Sequence, residues 1–90
     1  MDVKRAVTIA KQYIGDLILD ENPSNIALEE IGFDDQADLW SVTIGFSRPW
    51  DYQTPGVVTG LQPKHPQRQY RVVKVSDKDG KVTAIKMREQ

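Results

Sequence analysis

The apolar side chains of this chain change their spacing once, and that change restricts the fold to one helix followed by strands. In the first eighteen positions Val3, Ala6, Val7, Ala10, Tyr13, Ile14, Leu17 and Ile18 fall on one arc at about 100° per residue, opposite Lys4, Arg5, Thr8, Lys11 and Gln12. This spacing predicts an amphipathic helix over residues 3–20, with Asp2 as its N-cap. Asn22-Pro23 ends it, because proline disfavours a helical conformation in the residue before it. Gly15 falls on the polar side of the arc and costs some helix propensity without opening the core-facing stripe.

Beyond Pro23 the period is two. Residues 26–33 read as a first strand, but Ile26 and Leu28 keep one phase while Ile31 and Phe33 keep the other. Either one face is only partly buried, or a bulge near Glu29-Glu30 shifts the pattern. Asp34-Asp35-Gln36-Ala37-Asp38 is a polar turn. The clearest strand follows, with Trp40, Val42, Ile44 and Phe46 on one face and Ser41, Thr43, Gly45 and Ser47 on a polar one. Residues 48–67 lose the pattern in a segment with four prolines and two glycines. Strand character returns over 69–77 and 81–88, separated by Asp77-Lys78-Asp79-Gly80, a turn with glycine where a positive φ is needed. A three-residue loop, Lys78-Asp79-Gly80, would pair Val73 with Ile85 and Val75 with Thr83; a slip by one residue would reverse the faces. The expected fold is α+β in two layers, an N-terminal helix packed on a curved four-stranded antiparallel meander that forms a single domain over residues 1–90.

Within that order of elements, residues 70–85, Tyr70-Arg71-Val72-Val73-Lys74-Val75-Ser76-Asp77-Lys78-Asp79-Gly80-Lys81-Val82-Thr83-Ala84-Ile85, resemble the terminal hairpin of PepSY-like and cystatin-like small domains. The resemblance implies binding or inhibition of another protein, often a peptidase, rather than catalysis. The chain is expected to depart from secreted members, because Met-Asp-Val-Lys-Arg leads into a helix rather than a signal-peptide apolar region. It also lacks the Gln-Val-Val-Ala-Gly type of inhibitory hairpin of cystatins, so no family site maps onto it.

Composition narrows the chemistry. The 90 residues include no cysteine and one histidine, which excludes a disulfide scaffold and a cysteine-based zinc site. No apolar run approaches the ~20 residues of a membrane helix, so no membrane association is expected and the default compartment is the cytoplasm. His65 lies between Lys64 and Pro66 in the proline-rich segment, with no nucleophile and base held beside it, so no enzyme and no catalytic residue are expected. Glu29, Glu30, Asp34, Asp35 and Asp38 lack the glycine and spaced ligands of a calcium loop, and Asp77-x-Asp79-Gly80 lacks a downstream glutamate ligand; no metal or other cofactor is expected. Two carboxylates facing across a glycosidase-like cleft have no place in such a meander.

Charge is unevenly spread. The formal net charge is −1, yet residues 16–38 carry eight acids and no base, and residues 62–90 carry eight bases against three acids. The two segments either form a dipolar surface without special use, steer a partner of opposite sign, or let molecules associate acidic edge to basic edge. Nucleic acid is disfavoured, since lysine and arginine alternating on exposed strand positions also serve to discourage aggregation.

The segment 48–67 is too long for a plain connection. Its apolar groups either fold back over the open end of the core or engage another protein. Arg48, Trp50, Tyr52, Val57, Val58, Leu61, Lys64 and His65 are the expected partner-binding residues, because tryptophan, tyrosine and arginine concentrate binding energy at interfaces. The expected function is a non-enzymatic protein-interaction domain, a small inhibitor, immunity protein or accessory subunit, acting through this loop and an exposed sheet face or edge. A homodimer through a strand edge is compatible with it. The alternative is a small-ligand-binding domain that uses the concave sheet surface under the helix, near Trp40 and Phe46.

Overall fold

The computed structural model describes residues 1–52 and 68–88. It contains α1 (Val3–Leu17), a 3-10 turn at Leu19–Glu21, β1 (Ser24–Asp34), β2 (Leu39–Ser47), a second 3-10 turn at Pro49–Tyr52, β3 (Gln69–Ser76) and β4 (Val82–Met87). The strands form one antiparallel sheet in the order β1-β2-β3-β4, with α1 packed on one face. The fold is thus α+β, one helix on a four-stranded meander.

Asp2 caps α1, its carboxylate accepting from the Arg5 backbone N–H at 2.8 Å. The helix stops three residues earlier than its apolar spacing predicts. The chain continues as a 3-10 turn, and Asn22 closes it in a left-handed conformation, φ 52°, immediately before Pro23. Asparagine tolerates that region better than most residues. The buried stripe is narrower than the sequence arc: Ala6, Ala10, Ile14 and Ile18 are buried, while Val3, Tyr13 and Leu17 stay exposed. Two residues outside the predicted apolar arc, one of them placed on its polar side, turn inward. Ile9 packs against the core, and Gly15 faces β1, where an added Cβ would lie 4.0 Å from Ile26 Cδ1.

The slipped phase of the first strand is a bulge. Leu28 pairs with Ile44 but Glu30 pairs with Thr43, which leaves Glu29 as the extra residue. The extra residue brings Leu28 and Ile31 onto the same face, opposite the core residues Ile44 and Val42. A second irregularity between Ser24 and Ala27 coincides with Asn25 at φ 55°. The opposite edge behaves in the same way. Ser76 N–H donates to Lys81 O at 2.8 Å, so the hairpin loop is the four residues Asp77–Gly80 rather than three. Val75 therefore pairs with Val82, not Thr83; a bulge at Thr83 then resets the register so that Val73 meets Ile85 as expected. Gly80 takes φ 72°, and a Cβ there would approach Ile9 Cδ1 at 3.2 Å.

The core lies between α1 and the two central strands: Val42, Ile44 and Phe46 of β2 and Val73 and Val75 of β3 meet Ala6, Ala10 and Ile14. The polar face of β2 is not open, as the alternation suggests. Thr43, Gly45 and Ser47 are also buried.

Candidate interaction surface

β2 is the most enclosed strand, and the expected binding segment starts directly from its end. Arg48 follows Ser47 and places its guanidinium 5.0 Å from the centre of the Trp50 ring, while Nη1 lies 3.6 Å from a Glu21 carboxylate oxygen. A cation over an indole face contributes about 0.5–1 kcal/mol where exposed. The 3-10 turn Pro49–Tyr52 is in this way tied to the turn that ends α1. Trp50 remains 49% exposed on it. Of the other expected residues, Tyr52 closes the 3-10 turn. Val57, Val58, Leu61, Lys64 and His65 lie outside the described residues.

The sheet face away from α1 carries a set of long polar side chains. Arg68, next in register after the Phe46–Gln69 pair, donates from Nη2 to Glu29 Oε2 at 3.1 Å and to the Asn25 carbonyl at 2.8 Å. This pair lies over Gly45, whose added Cβ would fall 2.6 Å from Glu29 Oε2 and 2.8 Å from Arg68 Nη2. Arg88 stacks on Tyr70, 4.3 Å from the ring centre, and reaches to 3.6 Å from a Glu30 carboxylate oxygen. Lys74 donates to Ser41 Oγ. Long side chains from β1, β3 and the end of β4 thus help cover the small residues of β2. Among the described residues, the buried Ser47 Oγ and Arg68 Nε have no hydrogen-bond partner. Leaving such groups unpaired costs stability.

Comparison with protein-family models, curated proteins and solved structures finds no match. The reading of this surface rests on its own chemistry.

Asp34, Asp77 and Asp79 are occupied in the turns. Asp34 Oδ1 accepts from the backbone N–H groups of Gln36 and Ala37, and Asp79 accepts from that of Lys81. Asp77 Oδ1 accepts from the Trp40 indole at 2.9 Å and from the Met1 terminal ammonium at 2.9 Å. Its carboxyl is held below the ordinary carboxylate range, chiefly by the Trp40 hydrogen bond and next by that of the ammonium. Asp79 is lowered as well, first by the Lys81 N–H and then by the Ser76 hydroxyl. No group of three or more histidines or carboxylates able to hold a metal ion occurs among the described residues. Among the described residues, no helix is long and apolar enough to cross a membrane.

Sequence reading missed Arg68, Glu29, Glu30 and Arg88 as partners. One signal for them existed: a glycine inside a strand, Gly45, often marks a close approach of other groups.

Proposed function

We propose that this protein is a non-enzymatic interaction domain that binds another protein, as a small inhibitor, immunity protein or accessory subunit. The observation that carries the proposal is Trp50, half-exposed on a 3-10 turn that Arg48 and Glu21 brace against the end of a buried strand. A large aromatic side chain held in place before binding loses little conformational freedom when a partner covers it. The resemblance of the terminal hairpin to PepSY-like and cystatin-like domains points to the same class of role. The alternative of a small ligand under the helix finds less support, because Phe46, Ile44 and Val42 are fully buried beneath α1 and a ligand there would have to displace it.

The test compares affinity capture from the native host by wild type and by Trp50→Ala, each checked for its fold by circular dichroism. Loss of specific partners in the variant supports the proposal. Identical partners at identical recovery would overturn it.

A further inference from the structure

The two edges of the sheet complement each other on both faces. Beyond its bulge, β1 runs regularly from Glu30 to Asp34, and beyond its own bulge the last strand runs regularly from Ala84 toward Arg88. On the helix face, β1 offers Ile31 and Phe33, and β4 offers Ile85 and Met87; Phe33 is 44% and Met87 70% exposed. These faces follow from the pairing: Ile31 opposes core residue Val42, Phe33 opposes Trp40, and Ile85 opposes core residue Val73. Met87 pairs with Arg71, whose guanidinium lies over the buried Phe46 ring. On the other face, β1 carries Asp34 and Glu30, the latter 3.6 Å from Arg88 of the same molecule, while β4 carries Lys86 beside that arginine. One edge is apolar and acidic; the other is apolar and basic.

We propose that a second copy of this chain is the occupant of each edge: β4 of one molecule adds to β1 of the next, head to tail. Because β1 and β4 run antiparallel within the four-stranded meander, a copy displaced along the sheet presents its β1 antiparallel to β4 with both helices on the same side. Aromatic and aliphatic groups then meet on the helix face, and carboxylates meet cations on the other, each cross-strand pair adding a modest stabilisation. Identical edges fit less well. A β4–β4 pair gathers Lys86 and Arg88 of both copies on one face, and a β1–β1 pair gathers acids. The arrangement is heterologous, so it extends beyond two copies unless the rotation closes a ring. The proposal deepens the strand-edge part of the interaction reading and uses no residue of the Trp50 turn.

Sedimentation velocity over a range of concentrations at low ionic strength, with the full chain, tests it. Wild type should form species larger than a dimer as concentration rises. Lys86→Glu and Glu30→Lys, both at exposed positions, should each weaken association roughly tenfold or more, a change of about 1.4 kcal/mol. Mixed in equal amounts they should regain association, since the intact β1 of the first meets the intact β4 of the second and the two reversed edges are again opposite in sign. Trp50→Ala should associate as wild type does, which keeps this proposal separable from the partner-binding one. A wild type that stays monomeric throughout would overturn it. So would a closed dimer unaffected by either reversal, a mixture that stays monomeric, or loss of association in Trp50→Ala.

Discussion

At the scale of single residues, two small features carry clear consequences. Gly80 sits at φ 72° against Ile9, so Gly80→Ala combines a left-handed alanine with a close contact. The expected loss is about 1–2 kcal/mol, read as a shift in the urea midpoint at unchanged slope. Asp77 is the second. Its folded-state proton affinity is lowered, so folding favours the charged form. The stability it contributes is fully present above the ordinary carboxylate range and is lost as pH falls through its lower folded value. Asp77→Asn should therefore be less stable than wild type at neutral pH, and the gap should close in acid. Urea unfolding across a pH series checks this, and a gap independent of pH would count against the assignment. The Asp77–Trp40 bond was not legible in the sequence. It depends on the Asp77 turn lying beside the start of β2, where Asp77 N–H donates to the Asp38 carbonyl.

At the scale of elements, the bulges explain how an irregular sequence builds a regular core. Inserting one residue after Glu29 while keeping the β1–β2 turn would move Ile26 and Leu28 to the polar face, a loss on the order of 3–6 kcal/mol, whereas deleting Glu29 would leave Leu28 opposite Ile44. Glu29→Ala keeps the phase, removes only the partly exposed pair with Arg68, and should cost about 1 kcal/mol or less. Thermal or urea denaturation of both chains measures the contrast; equal losses would mean that the bulge does not set the faces. In the core itself, Ile14→Ala should cost about 2–5 kcal/mol, since its side chain is wholly enclosed. The period change at Pro23 and the strand faces of β2 were readable from the sequence because apolar alternation encodes them; the Val73–Ile85 pair arises because a four-residue loop and the bulge at Thr83 offset each other. The end of α1 and the burial of Thr43, Gly45 and Ser47 were not readable. The former is set where the backbone leaves the helix at Ile18 and tightens into a 3-10 turn. The latter involves arginines and glutamates brought together only by the register of strands far apart in the chain.

At the scale of the whole molecule, a nearly neutral chain separates into an acidic β1 edge and a basic β4 edge, with an aromatic turn leaving the end of its most buried strand. The aromatic content of that segment was legible in the sequence; the bracing of Trp50 by Arg48 and Glu21 was not, because it needs the end of α1 beside the end of β2. The central claim is that Trp50 touches another protein when the domain works. Replacing Trp50 by a photoreactive phenylalanine analogue in the native host, with illumination of intact cells, tests this most directly. The account predicts a discrete covalent adduct with a second polypeptide that is absent when the same group replaces Lys4 on the exposed face of α1. No adduct at position 50, or the same adducts from both positions, would contradict it.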